Sequence, residues 1–278
     1  MPCSYRAYEI RARQALVPSR LPEYDYALNP YAGCSHACIY CYAADLTRGP
    51  PGSAWGEVVY VKKNVPELLK REVRRLAPGV VGLSTVTDPY QPAEREYMLA
   101  RASLEVLAGA GFRVSIQTKS DLVLRDLDVI VKYRHAVDVG FTITSLGERA
   151  SAAEPCAPSP LARARAAEIL VGRGVRVWIF LGPIIPGYND SARELGGVIA
   201  LARRIGAELV YDRYRATPRA GARLRAALGA GEPSPEWWRR VRREVEVLCA
   251  REGARCRSME EEWGLARRDS KRASGGPA

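Results

Sequence analysis

Residues 29–42 read Asn-Pro-Tyr-Ala-Gly-Cys-Ser-His-Ala-Cys-Ile-Tyr-Cys-Tyr and bring Cys34, Cys38 and Cys41 within eight positions. That is the density of a ligand set. Three thiolates can take three corners of a cubane iron-sulfur cluster, whereas full ligation needs four, so a cluster here would keep one iron open to an outside ligand. An open iron implies chemistry. Zinc held by the same cysteines and His36 is an alternative, but zinc sites usually build from paired C-x2-C units, and only Cys38 and Cys41 are so spaced. His36 then flanks the site rather than ligating. A purely structural cluster would want a fourth cysteine close by.

The spacing C-x3-C-x2-C, with aromatic Tyr40 just before the last cysteine, resembles the signature of the radical S-adenosylmethionine (SAM) enzymes. The resemblance implies a 4Fe-4S cluster on Cys34, Cys38 and Cys41 whose open iron chelates the amino and carboxylate groups of SAM. One electron, from a donor such as ferredoxin or flavodoxin, then splits the sulfonium to methionine and a 5′-deoxyadenosyl radical, so the cofactor carries the hard step.

The 278 residues allow one large or two small domains, and 47% hydrophobic residues is ordinary for a chain that buries a core. No apolar run approaches the roughly 20 residues of a membrane span, and residues 1–28 are too polar for a signal peptide. The expectation is a cytoplasmic protein with no membrane partner. Seven cysteines, three of them in a motif that needs reduced thiolates, argue against a secreted disulfide framework. Cys3, Cys156, Cys249 and Cys256 remain; they suit buried free thiols, or one disulfide in a heat-adapted cytosol, better than a second cluster.

Downstream of the cysteines, apolar β-rich runs alternate with helical patterns. Strands are expected at 24–28, 80–86, 113–118, 137–144, 175–181 and 208–211, with helices at 66–76, 93–108, 122–133, 160–172 and 191–205. Gly109, Gly111, Gly172 and Gly174 stand where helices should stop, as left-handed caps. Such alternation means parallel pairing with right-handed crossovers. Six strands suit an incomplete barrel better than a closed eight-stranded one. The reading is an α/β chain: a lead-in at 1–23, a partial (β/α)6 TIM-type barrel at 24–212, a basic, mainly helical C-terminal extension at 213–269 and a disordered tail at 270–278.

Barrel enzymes work at the C-terminal ends of their strands, and here the loops after the strands are polar. They include Ser84-Thr85-Val86-Thr87-Asp88-Pro89-Tyr90-Gln91-Pro92, Thr118-Lys119-Ser120, Thr142-Ile143-Thr144, Glu154-Pro155-Cys156-Ala157-Pro158 and Pro183-Ile184-Ile185-Pro186-Gly187. Asp88 could serve only a turn, Asp121 a cap, and Ser191 with Glu194 a capping box; their convergence with the cysteine loop is what points to a site. Taken in order with residues 29–42, these motifs resemble the radical SAM proteins related to spore photoproduct lyase. The resemblance, over about residues 24–211, places Tyr40 against the SAM adenine and Ser84, Thr85, Thr87 and Asp88 around the methionyl amino group. It sends Lys119 and Thr142 or Thr144 to the carboxylate and ribose, and gives Ile185 and Gly187 to the adenine-holding loop, where Pro183 stands for an expected Gly and Asp190 for a Glu. A carboxylate in a semi-enclosed barrel needs a cation such as Lys119 on physical grounds as well.

One departure bears on the substrate. The lyase reaction uses a hydrogen-donor cysteine after the second barrel strand, and residues 84–88 hold none. Cys156 stands where relatives carry Gly and is the candidate substitute, against the alternative of a small buried thiol. Residues 213–278 carry 16 Lys and Arg against 9 Asp and Glu, a net of +7 out of the chain's +11. There, Arg213, Arg215, Arg219, Arg223 and Arg225 precede Trp237, Trp238, Arg239, Arg240, Arg242 and Arg243, interleaving cations with flat rings as nucleic-acid binders do. The same residues also fit an amphipathic helix at 235–251 with its tryptophans buried. Nucleic acid, in DNA repair or RNA modification, is therefore the expected substrate. A peptide or small metabolite, and a non-enzymatic cluster or zinc module, are the alternatives.

Overall fold

The computed structural model describes residues 3–147 and 149–261. In chain order it contains β1 (Arg6–Ile10), β2 (Leu16–Pro18), β3 (Tyr26–Leu28), β4 (Tyr31–Ala32), α1 (Ala43–Leu46), α2 (Pro50–Ser53), β5 (Val58–Lys62), α3 (Val65–Glu72), β6 (Val80–Leu83), α4 (Glu94–Tyr97), α5 (Leu99–Gly109) and β7 (Arg113–Thr118). A 3-10 turn (Asp121–Asp126) leads into α6 (Leu127–Lys132), followed by β8 (Val137–Thr142), α7 (Ala150–Ala153), α8 (Pro160–Gly172), β9 (Arg176–Ile184), α9 (Ala192–Ile205), β10 (Glu208–Arg213), α10 (Pro218–Leu228), α11 (Pro235–Glu252) and β11 (Cys256–Ser258).

All six expected barrel strands form and lie side by side in sequence order, β3-β6-β7-β8-β9-β10, every pair parallel. Parallel β11 extends one edge and antiparallel β2 the other, so the eight-stranded sheet stays open as a partial barrel. All six residues of β8 are buried, as expected of a parallel strand covered on both faces. The core runs from Leu28 and Leu83 through Ile116, Phe141, Ile179 and Leu209 to the inward faces of α5, α8, α9 and α11.

A second, three-stranded sheet, β1-β5-β4, was not anticipated from the sequence. Its middle strand, Val-Val-Tyr-Val-Lys, comes after the two short helices that follow the cysteine motif, before the regular alternation of strands and helices begins. The helix expected at 93–108 breaks at Met98, whose φ is +51°, and that at 122–133 begins as the 3-10 turn. Gly111 and Gly174 adopt positive φ as helix stops should. Gly109 and Gly172 instead end α5 and α8 as their last helical residues. Ser191 caps α9 by accepting from Glu194 N–H, but the Glu194 carboxylate turns to the Ser145 hydroxyl at 2.5 Å, so only half of the capping box forms.

The four leftover cysteines pair as Cys3–Cys156 and Cys249–Cys256, two bridges where at most one was expected, and leave no thiolates for a second cluster. Residues 262–278, which include the expected disordered tail, lie outside the described residues. No helix among the described residues is long and apolar enough to cross a membrane.

The barrel wall is tight at Gly140, where an added Cβ would lie 2.3 Å from the Trp178 ring, itself pinned by an indole hydrogen bond of 2.9 Å to Asp138. Gly140→Ala should therefore destabilise the protein by about 1–3 kcal/mol, as overpacking a core does. Urea denaturation checks this, and an unchanged midpoint would show that the ring has room to move.

Candidate functional site

The cysteine loop has little regular structure, so its backbone polar groups must find partners elsewhere. The fully buried Gln91 supplies several of them. Its amide oxygen accepts from Ser35 N–H (3.0 Å) and Ser35 Oγ (3.3 Å), while its NH2 donates to Gly33 O (3.2 Å) and Thr87 Oγ1 (2.9 Å). Thr87 Oγ1 in turn donates to Gly33 O at 2.6 Å. Asn29 bonds Val86 N–H and Thr85 Oγ1, and the Tyr42 hydroxyl donates to Thr85 O at 2.6 Å. Gly33 has φ +84°, and a Cβ there would meet Val58 O at 2.4 Å, so only glycine serves. The loop after β6 is thus laced to the cysteine loop over the C-terminal edge of the sheet, and Thr85 and Thr87 spend these contacts on the loop itself.

Cys34 and Cys38 are buried, Cys41 is partly so, and all three are free, whereas every other cysteine is paired. Burial pushes all three thiols up: Cys34 well above the ordinary range, with Asp88 adding to it, Cys38 to about 12, and Cys41 against the pull of Lys119. Among the described residues no three His, Cys, Asp or Glu side chains could hold one metal ion. A cubane gives each thiolate its own iron, and three free thiols on one buried loop fit that demand.

Beside the cysteines lies a buried charge network. Glu154 accepts from the Tyr40 hydroxyl and from Thr144 Oγ1 (3.0 Å), and pairs with Arg163 at 2.5 Å. Arg163 is 1% exposed, and its remaining donors reach Pro158 O (2.9 Å) and Thr142 O (3.0 Å). Burial opposes the charge on Glu154, but Arg163 and Lys119 outweigh it and hold the carboxyl below its ordinary range. Burial likewise opposes the Lys119 charge, and Cys38 and Glu154 more than restore it. Lys119 Nζ stands 5.4 Å from the centre of the Tyr40 ring. Thr142 Oγ1 accepts from Gln117 at 3.2 Å and Thr144 Oγ1 is engaged by Glu154, so these two hydroxyls already have protein partners.

Asp88 is a junction. It accepts from Thr118 Oγ1 (2.7 Å), Tyr90 N–H (2.9 Å) and Lys119 N–H (2.8 Å), and its second oxygen faces His36 Nδ1 at 3.4 Å. Burial works against its ionisation, but His36 and the bonds from Thr118 and Lys119 prevail and bring the carboxyl to about 2. Ser84 differs from its neighbours. It has φ +69°, is 6% exposed, and its hydroxyl meets no partner among the described residues. A strained, buried, orphaned hydroxyl at a strand's C-terminal end is what a ligand site leaves behind.

Ile185 is fully buried in an apolar cluster with Cys38, Tyr40 and Tyr188. Asn189 fastens its loop by accepting from Ile185 N–H (2.7 Å) and donating to Thr144 O (2.7 Å). Gly187 turns at φ +74° with open space where a Cβ would stand. The resemblance had no place for Asn189, Arg163 or Gln91 as site residues. Gln91 and Glu154 lay within quoted motifs, while Arg163 was hidden in an ordinary helical pattern.

Two expectations fail. Cys156 is disulfide-bonded to Cys3 and has no S–H to donate in this structure. Much of the aromatic and basic stretch of the C-terminal segment is engaged with partners within the chain, some of them at the surface. Trp238 is 5% exposed and packs on Tyr211, so it offers no stacking face, while Trp237 is partly buried against the core with Nε1 donating to Asp190 at 2.7 Å. Arg242 pairs with Glu246 and Glu261, Arg225 with Glu232 and Arg215 with Asp212. Arg239 and Arg240 remain exposed, Arg239 beside Glu236, and Arg243 with them. The amphipathic helix won because α11 buries its Trp, Val and Leu side against the core.

The Asp88 junction carries a pH signature. A folded-state carboxyl at about 2, against an ordinary 3.8, contributes stability that is present above about pH 4 and lost as pH falls towards 2. The cluster-free wild type should lose about 2 kcal/mol more than Asp88→Asn between pH 5 and 2. Urea midpoints across that range test it, and parallel curves for the two proteins would refute it.

The chain matches the family model for the radical SAM superfamily over residues 28–195. It is 36% identical over 189 residues to an uncharacterized protein of Methanocaldococcus jannaschii, covering 68% of this chain and 71% of that one. It is 34% identical over 212 residues to an uncharacterized protein of Mycobacterium tuberculosis, covering 72% of this chain and 62% of that one. Among solved structures its fold is similar to spore photoproduct lyase, with a TM-score of 0.72 at 15% identity over 91% of this chain and 81% of that chain. Streptococcus suis SuiB bound to S-adenosylmethionine is similar at a TM-score of 0.59 and 11% identity, over 84% of this chain and 49% of that one. With its three free cysteines on the matched loop, the chain belongs to the radical SAM superfamily of enzymes.

Proposed function

We propose that Cys34, Cys38 and Cys41 hold a 4Fe-4S cluster, that SAM binds at the strand ends beside it, and that the protein generates a substrate radical on nucleic acid. The observation that carries the reading is the set of three unpaired cysteines on a buried loop with Lys119 and Tyr40 against it. Bound there, a cluster supplies an open iron and one electron, with which SAM splits to methionine and a 5′-deoxyadenosyl radical. The chain's own residues orient and enclose. Lys119 is held charged and aimed by its backbone bond to Asp88, fit to meet a carboxylate. Ser84 offers an unengaged hydroxyl to an amino group. Tyr40, fixed through its own hydroxyl by Glu154, and Ile185 give an apolar wall suited to an adenine. Thr142, Thr144, Thr85, Thr87 and Asp88 act on this reading by positioning those groups rather than by touching SAM. An electron donor such as ferredoxin or flavodoxin completes the system.

Support for nucleic acid is of a different kind. The chain carries +11 overall, and one of the spore photoproduct lyase structures that its fold resembles holds AdoMet and a dinucleoside spore photoproduct. Within the C-terminal extension, Arg239, Arg240 and Arg243 are left exposed on α11, whose first turn is tied to the loop after β9 through Trp237 and Asp190. Cations so placed suit phosphates approaching the barrel mouth. A base in a duplex would have to be unstacked to reach it.

Anaerobically reconstituted protein should cleave SAM to 5′-deoxyadenosine when reduced, and the Cys34, Cys38 and Cys41 triple Ala variant should retain no iron or sulfide. Lys119→Ala should keep its cluster yet bind SAM about ten- to hundredfold more weakly, the loss of about 1.5–3 kcal/mol expected for a charged contact. Isothermal titration reads this directly; wild-type affinity in the Lys119 variant would remove it from the SAM site.

Single-stranded DNA or RNA should bind with an affinity that falls steeply as salt rises. Replacing Arg239, Arg240 and Arg243 by Gln should flatten the log–log slope by about 2–3, at about 0.7–0.9 per phosphate contact. Fluorescence anisotropy across a salt series measures it. A protein that bound neither DNA nor RNA at low salt would exclude this substrate class and favour a peptide or small metabolite.

A further inference from the structure

Helix α10 lies outside the segment that matches the superfamily model, yet it is fastened to the cysteine loop at several points. Asp45, just after the loop, accepts at the N-terminus of α10 from Thr217 Oγ1 (2.7 Å), Arg219 N–H (3.0 Å) and Ala220 N–H (3.3 Å). Its carboxylate therefore caps, from a distant part of the chain, a helix whose own Thr217 forms no side-chain cap. Arg219 Nη1 donates to Ala44 O at 2.9 Å. One turn along from Arg219, Arg223 sends Nε to Ile39 O (3.1 Å) and Nη2 to Cys41 O (3.3 Å). Beside it, Leu224 packs in the same apolar cluster as Cys38 and Tyr40.

We infer that Arg223 is a positioning residue for the cluster loop and the fixed cation that α10 brings to Cys41, so that it sets both the retention and the redox poise of the cluster. The inference rests on the cluster reading above. Its physics has two parts. The planar guanidinium fork clamps carbonyls on either side of Tyr40, which holds Ile39 to Cys41 in one conformation, and a lysine, with a single point of charge, cannot reproduce both bonds. A fixed positive charge beside the cluster favours the form with the extra electron and raises its potential, because net charge, hydrogen bonding and solvent exposure are the levers that tune such clusters. Burial lowers the Arg223 pKa, but a guanidinium remains charged in a protein. Lys119 is the other cation that Cys41 feels, but it is the same in the wild type and in Arg223 variants, so a difference between them reports Arg223.

The test uses full-length, reconstituted protein as wild type, Arg223→Met and Arg223→Lys, with urea midpoints to verify folding. Three quantities are read without SAM: iron and sulfide per chain, the midpoint potential by mediated titration with electron paramagnetic resonance, and the rate of cluster loss in air. Arg223→Met should shift the potential downward and lose its cluster several-fold faster; Arg223→Lys should recover the potential but not the retention. Wild-type potential and wild-type loss rate in a folded Met variant would overturn the inference. Should the Met variant not fold, the Lys variant decides, since loss at the wild-type rate would show that the fork holds nothing. Failure of the wild type itself to take up iron and sulfide would instead sink the cluster reading, a result distinct from a silent Arg223.

Discussion

Everything about the site depends on keeping an irregular loop in a single conformation at the edge of a parallel sheet. A helix, or a strand within its sheet, satisfies its backbone; residues 33–42 bond among themselves at Ala37 N–H to Cys34 O and Cys41 N–H to Cys38 O, so further partners must come from outside. Gln91 meets Gly33 and Ser35, Ala153 O accepts from Ile39 N–H at 3.0 Å, His36 O accepts from Cys156 N–H at 3.2 Å, and Arg223 meets Ile39 and Cys41. These partners come from after β6, after β8 and from α10. The cysteines are consequently placed by the barrel as a whole, and a change in any of the three supports reaches them.

The same economy explains why so many polar residues at the mouth turn out to be bonded to one another. Thr85, Thr87, Asp88, Thr118, Thr142 and Thr144 all have protein partners. Leaving each to find water or ligand would make an unmade hydrogen bond at every position, at about 1–3 kcal/mol apiece. Ser84 and Lys119, by contrast, are left facing a need rather than filling one. Polar residues gathered at strand ends therefore mark a site without identifying its contacts, and the contacts follow from which donors remain unspent.

The alternation of apolar runs and helical periods made the six parallel strands and their order legible, because each barrel unit repeats the same pattern and right-handed crossovers leave little choice. The cysteine spacing made the loop legible as a ligand set. The β1-β5-β4 sheet was not legible, since short strands such as Tyr31–Ala32 are defined by their partners rather than by a pattern of their own. Arg163 escaped for a related reason. One arginine in Pro-Leu-Ala-Arg-Ala-Arg-Ala looks like any solvated helix position, and only the fold shows that it turns inward to Glu154 while Arg165 two places on does not.

The C-terminal segment shows how far charge counting can mislead and where it still informs. Arginine is chosen both for phosphates and for carboxylates, with the same fork and the same charge, so composition cannot separate the two uses. Here most of the segment's arginines with assigned roles have partners within the chain: Arg215, Arg225 and Arg242 serve carboxylates, Arg225 at the surface, while Arg219 and Arg223 serve loop carbonyls. Tryptophan beside them was equally ambiguous, because an amphipathic helix and a stacking platform call for the same residue. What distinguishes the two is the spacing of the apolar partners. Trp238, Val241, Val245 and Leu248 fall three, four and three residues apart on one face of α11 and are all buried, which fixes Trp238 inward and leaves Arg239, Arg240 and Arg243 on the solvent side. The extension is thus first a brace for the cysteine loop and the outer helices, and any nucleic-acid contact it makes has to come from the few cations that bracing leaves over.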